Sequence, residues 1–223
     1  SPLRDVYKRQ VPYLATSGFY AAIVLAEKNL SIASVIMIVT FLVLFAAGGR
    51  IKHLFGIVAP ALVAAAVAFT VLEPYRMKRL MSFTNPWKDP IGDGYQLIQS
   101  FYALGAGGVT GLGLGQSRQK TLYMPEPHND FIFSIIGEEL GLIGCVCIIL
   151  LFVIFVWRGI SVAMKARDTY GTLLAIGITG VVAVQSLINI AVVTGSMPVT
   201  GVPLPFISYG GTSLVINMTA IGI

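Results

Sequence analysis

Apolar residues dominate five stretches, residues 11–26, 30–47, 54–72, 131–157 and 170–193, and most of the charges fall in short clusters between them. At a rise of about 1.5 Å per helical residue, each stretch crosses or nearly crosses a hydrocarbon layer about 30 Å thick. A soluble helix needs only one apolar stripe. The pattern therefore predicts an all-α, polytopic helical membrane protein. A sixth apolar stretch opens near Ser213 and is still running at Ile223, so the sequence reads as truncated inside a helix. Glu27, Lys28 and Asn29 separate the first two stretches and fit a tight turn at the interface, since burying both charges would demand partners. Residues 1–10 are polar and lack the apolar core and cleavage site of a signal peptide. A cytoplasmic loop and an expression or sequencing scar both fit them.

Composition points the same way: 56% of the residues are hydrophobic and 11% charged, against about 25% charged in soluble domains. The net charge of +5 does not argue for nucleic-acid binding, because Lys and Arg bracket the apolar stretches and form no long basic face. Cys145 and Cys147 share one apolar stretch with no histidine near, which gives no disulfide framework or zinc site. With strict alternation, Arg4, Lys8, Arg9, Arg50, Lys52, Arg158, Lys165 and Arg167 share one side, which is then cytoplasmic. The seven remaining basic residues lie opposite, six of them in the 73–130 segment, and a long segment translocates with little regard to charge.

That segment holds Glu73, Asp89, Asp93, Glu126 and Asp130, five of the ten acids, with Arg76, Lys78, Arg79, Lys88, Arg118 and Lys120. Tyr95 to Ala106 is helix-compatible and suits an interfacial anchor. The glycines from Gly105 to Gly115 form neither a Walker nor a dinucleotide motif. Gln116 to Lys120 is rich in donors, open to pyrophosphate or sugar hydroxyls or to plain interfacial charge. Asn129 or Asp130 could be an ordinary N-cap of the following helix, or Asp130 a carboxylate held at the membrane surface to accept a proton. Glu138 and Glu139 sit deeper in the apolar stretch, where bundle cohesion and a polar cavity are both open roles. Gln185 and Asn189 can hydrogen-bond into the same interior or make an ordinary helix contact. Residues 195–211 carry three prolines and repeated glycines without charge, which fits a packed loop, a gate or a substrate-contacting segment.

Three long motifs then carry a resemblance: RMKRLMSFTNPWKDPIGDGYQLIQS at 76–100, ALGAGGVTGLGLGQSRQKTLYMPEPHNDFIFSIIGEELGLIG at 103–144, and PVTGVPLPFISYGGTS at 198–213. From about residue 11 onward the sequence resembles the FtsW, RodA and SpoVE proteins, the SEDS family, and is more similar to the FtsW and SpoVE branch. Asn129 stands where the family motif usually has Thr, and EKNLSIAS replaces a QPDLG-like turn near the start.

The resemblance implies the C-terminal part of a roughly ten-helix fold and a peptidoglycan glycosyltransferase that polymerises lipid II into glycan strands. The expected layout is a polar segment at 1–10, three membrane helices in 11–72, and an extracytoplasmic loop with an interfacial helix over 73–130. Two membrane helices, an extracytoplasmic Pro/Gly loop and the start of a last helix follow in 131–223. The family's extracytoplasmic aspartate falls on Asp130, which is the expected catalytic base for inverting transfer. Arg118, Lys120, Gln96, Gln99, Ser100, His128, Glu138 and Glu139 are the expected substrate contacts. No metal site is visible, although a divalent cation, Mg or Mn, could assist. The partners implied are lipid II, the growing glycan strand, a class B penicillin-binding protein transpeptidase, and divisome or sporulation cell-wall proteins, at the bacterial cytoplasmic membrane and its septum. A transporter of lipid-linked substrate and a noncatalytic scaffold for the transpeptidase are the competing readings.

Overall fold

A computed structural model describes residues 10–27, 29–49, 83–92, 94–122 and 128–223. The expected third membrane stretch at 54–72, the Arg76, Lys78 and Arg79 cluster and Glu126 lie outside the described residues. Among those described, every regular element is helical: α1 Val11–Ala26, α2 Leu30–Ala46, a 3-10 turn at Pro86–Lys88, α3 Tyr95–Gly107, α4 Gln119–Leu122, α5 Ile132–Lys165, α6 Thr169–Val193 and α7 Gly211–Ile221. Helices α5 and α6 are long and apolar enough to cross a membrane, while α1, α2 and α7 are shorter apolar helices.

The chain divides into two compact units. One draws on Ser1–Thr70 and Phe155–Val184 and the other on Val71–Ile154 and Gln185–Ile223. In the first, Leu14 of α1 and Leu44 of α2 are buried together, with Met37 and Phe41 packed against them. Asn29 precedes α2 and its side chain accepts the Ile32 N–H at 3.2 Å, an N-cap that satisfies one of the donors a helix start leaves unpaired. Gly159 of α5 lies so close to Thr179 of α6 that a Cβ would overlap the threonine side chain. A small residue there lets two helices approach closely, the usual device where lipid offers no hydrophobic drive for association. An apolar cavity of about 300 Å³ lies in this unit, lined by Leu42, Phe45, Val156, Ile160, Ile176 and Ala183 among others.

The second unit is built around an interruption. The sequence predicts one unbroken helix over 131–157, but α5 breaks at Gly141, whose φ of 69° and ψ of −165° are open only to glycine. A break strands the last carbonyls of the first half and the first N–H groups of the second. The glycine-rich loop after α3 takes up both sets. Leu112 and Gly113 N–H donate to the carbonyls of Glu138 and Glu139 at 3.0 and 2.9 Å, while Gly108 and Val109 carbonyls accept from Leu142 and Ile143 N–H at 2.9 and 3.3 Å. The approach is backbone to backbone. A Cβ on Gly111 would overlap the Glu139 carbonyl, and one on Gly107 the Gly137 carbonyl. Helix α3 is tied down further by Ser100, whose hydroxyl donates to the Val193 carbonyl at 2.9 Å at the end of α6.

Candidate functional site

Two polar clusters stand out within the second unit. The first surrounds Asp130. The main-chain carbonyls of residues 128 to 130 are each held by a group from farther along the chain: Tyr209 N–H donates to His128 at 2.8 Å, the Ser208 hydroxyl to Asn129 at 2.6 Å, and the Asn189 amide to Asp130 at 2.8 Å. Asn189 projects from α6, is 1% exposed, and donates its other amide hydrogen to the Val202 carbonyl at 2.8 Å. Ser208 also accepts the Leu204 N–H at 2.8 Å. One amide and one hydroxyl thus join the turn at 128–130 to the Pro/Gly loop, whose Val202 and Leu204 are buried as anchors. Phe206, with φ of 66°, is a non-glycine residue held in the left-handed region. Strain of about 1–3 kcal/mol at such a position persists only where the surroundings enforce it.

Helix α5 begins at Ile132, so neither Asn129 nor Asp130 stands immediately before it. The loop captures the carbonyls of 128 to 130 and keeps them in a turn. Asp130 is half-buried, and its carboxylate lies 3.5 Å from where a Gly201 Cβ would project, an ordinary contact distance. His128 is exposed.

The second cluster surrounds Glu138, which is 1% exposed. Its Oε2 accepts the Ser117 hydroxyl in a close contact, and its Oε1 accepts the Arg118 N–H at 3.1 Å. Ser117 Oγ accepts the Lys120 N–H in turn, at 3.1 Å. A buried carboxyl group is costly unless it is hydrogen-bonded, and here a hydroxyl and a main-chain N–H serve it. Arg118 and Lys120 are exposed beside it. Glu139 is half-buried and its Oε1 is enclosed without a hydrogen-bond partner. The Gln119 side-chain oxygen, Asn189 Oδ1 and Thr200 Oγ1 are enclosed in the same way.

Of the remaining residues singled out in the sequence, Gln96 and Gln99 are half-buried on α3. Ser100 is 0% exposed and spends its hydroxyl on Val193, which makes it a packing residue and corrects its expected place among the substrate contacts. Sequence reasoning did not single out Ser208, gave Gly201 only as one of the glycines that break the 195–211 loop, and did not separate Ser117 from the donor-rich run around it. Their only signal is position, inside the motifs at 103–144 and 198–213. Among the described residues, no three His, Cys, Asp or Glu side chains gather as ligands for a metal ion.

Residues 2–223 match the FTSW_RODA_SPOVE family, described as "Cell cycle protein". The chain is 48% identical over 215 residues to stage V sporulation protein E of Bacillus subtilis (strain 168), covering 96% of this chain and 58% of that protein. It is 46% identical to the probable peptidoglycan glycosyltransferase FtsW of Trichlorobacter lovleyi, covering 96% of this chain and 56% of the relative. The chain therefore spans little more than half the length of these relatives. Among solved structures, one described as "Structural coordination of polymerization and crosslinking by a peptidoglycan synthase complex" is similar with a TM-score of 0.72 and 31% identity, over 94% of this chain and 57% of that one. Thermus thermophilus rod shape determining protein RodA shares the fold, with a TM-score of 0.61 and 24% identity over 96% of this chain and 55% of its own.

Proposed function

Since the chain belongs to the FtsW, RodA and SpoVE family of cell cycle proteins and shares its polytopic membrane fold, we propose that it is part of a peptidoglycan glycosyltransferase polymerising lipid II. The observation that carries this reading is the hold on Asp130. Three consecutive carbonyls at 128 to 130 are pinned by Tyr209, Ser208 and Asn189, and the half-buried carboxylate lies beside Gly201. A general base needs such fixed geometry, because misplacement by about 1 Å can cost about 100-fold in rate.

In the proposed reaction Asp130 takes the proton of the acceptor sugar's 4-hydroxyl as that oxygen attacks the donor's anomeric carbon. The new glycosidic bond forms while the bond to undecaprenyl pyrophosphate breaks, with inversion at the anomeric carbon. The leaving group departs with concentrated negative charge. Exposed Arg118 and Lys120 supply cations suited to it, Arg in a planar fork and Lys as a point charge. No step is assigned to a metal ion. His128, Gln96 and Gln99 are proposed to line the path of the glycan or peptide, and Glu139 to pair with a donor from substrate or water.

The proposed setting is the bacterial cytoplasmic membrane, with a class B penicillin-binding protein transpeptidase as partner and divisome or sporulation cell-wall proteins around it. Full-length protein with its transpeptidase, supplied with labelled lipid II, tests the reading. Polymer is expected from the unaltered chain and none from Asp130→Ala. Headgroup movement across vesicles without polymer would support transport instead, and polymer retained by Asp130→Ala would remove the acid from catalysis.

A further inference from the structure

Glu138 is among the residues that the sequence offers as substrate contacts, yet its burial closes that role. At 1% exposure its carboxylate reaches no ligand directly. What it touches is the turn that carries the two exposed cations. Oε2 holds the Ser117 hydroxyl, Oε1 holds the Arg118 main-chain N–H, and Ser117 Oγ holds the Lys120 N–H. All three bonds fix main chain or a side chain one residue from a cation. None of them engages the ammonium of Lys120. A buried acid bonded in this way acts on the turn that bears the positive charge. It sets where that charge stands.

We propose that Glu138 is a positioning residue, acting through Ser117, that holds the Arg118 and Lys120 turn in the geometry that receives the pyrophosphate of a polyprenyl-linked substrate. The inference rests on the assignment of those cations to the leaving group. The chemistry supports the division of labour. Long cationic side chains lose rotamer entropy when they bind, and a wandering backbone beneath them would add to that cost. A carboxylate anchored on α5 removes that second cost. Its hydrogen bonds are made where water is excluded, which strengthens them.

The test uses full-length protein in lipid nanodiscs, with affinity for undecaprenyl pyrophosphate and polymer synthesis from lipid II measured side by side. Ser117→Ala, which deletes one hydroxyl at a 5% exposed site, and Glu138→Gln are each expected to weaken pyrophosphate binding about ten-fold, as loss of one charge-assisted hydrogen bond implies. In a chain already carrying Arg118→Ala and Lys120→Ala, neither substitution should weaken binding further. Unchanged affinity in Ser117→Ala overturns the proposal. So does a ten-fold loss that persists after both cations are removed, since Glu138 would then act independently of them, and so does unchanged affinity when the two cations are replaced. Should binding follow the expected pattern while no chain makes polymer, the positioning role stands and the polymerase reading fails.

Discussion

Replacing Asn189 tests most directly how Asp130 is held. Its amide hydrogens reach the carbonyls of Asp130 and Val202, each at 2.8 Å, from a side chain that is 1% exposed. Asn189→Leu keeps the size and strands both carbonyls, at about 1–3 kcal/mol apiece. It also removes Oδ1, which is already enclosed without a partner, and so returns about 1–3 kcal/mol. The balance is a destabilisation of about 1–3 kcal/mol. Asn189→Asp keeps the outline but turns two oxygens on two carbonyls. An ionised form costs more than leucine through burial and repulsion, and a protonated form restores one donor at most. The expected order of apparent melting temperature in the purified full-length protein is wild type, then leucine, then aspartate. Polymer synthesis should fall about 100-fold in both variants, because the turn beneath Asp130 is no longer fixed. An aspartate variant that melts and polymerises like wild type would show that the amide hydrogens do not hold this turn.

Two further outcomes follow from the same geometry. Ser208→Ala deletes a hydroxyl that accepts from Leu204 N–H and donates to the Asn129 carbonyl; it should cost about 2 kcal/mol and lower polymer synthesis with less effect on pyrophosphate affinity, as measured in the same nanodiscs. Gly141→Ala places a Cβ against Gly111 N and the Val109 carbonyl at a φ of 69°; it should cost about 3 kcal/mol or more, read as loss of folded protein from the membrane fraction, and near-normal accumulation would contradict the interlocked break.

Hydropathy alone made the long helices legible, because crossing a membrane demands a run of apolar residues that sequence shows directly. The break in α5 was not legible for the same reason. Gly141 sits among Gly137 and Gly144 in an apolar run, and nothing local distinguishes the glycine that leaves the helix from those that remain in it. The distinction comes from the loop at 108–113, which approaches from about 30 residues earlier in the chain. Asp130 could be singled out from its motif, whereas the grip on it could not. Tyr209, Ser208 and Asn189 lie 59 to 81 residues beyond their acceptors, and such pairings exist only in the folded chain. Ser100 misled for the opposite reason. Its polar side chain suggested a surface, but a hydroxyl can be buried wherever a helix end leaves a carbonyl open, as Val193 does.

The position of the two adjacent acids then acquires a physical reason. Glu138 and Glu139 lie just before Gly141, at the C-terminal end of the first half of α5, where the helix dipole is negative and acids are disfavoured by about 0.3–1 kcal/mol each. An unbroken helix would have spread that dipole over its whole length. The break concentrates it beside the carboxylates, so the site must import donors, and the segment from Leu112 to Arg118 supplies them in sequence. Leu112 and Gly113 N–H meet the two glutamate carbonyls, and Ser117 and Arg118 then meet the Glu138 side chain. Each contact presupposes the others. Without the break the carbonyls would be engaged within the helix, and without the glycines the loop could not approach them. Without Glu138 the segment would lose the acceptor that fixes its cationic end. Loop and broken helix therefore form one cooperative element, and a substitution that opens either should release Arg118 and Lys120 even where it lies far from both.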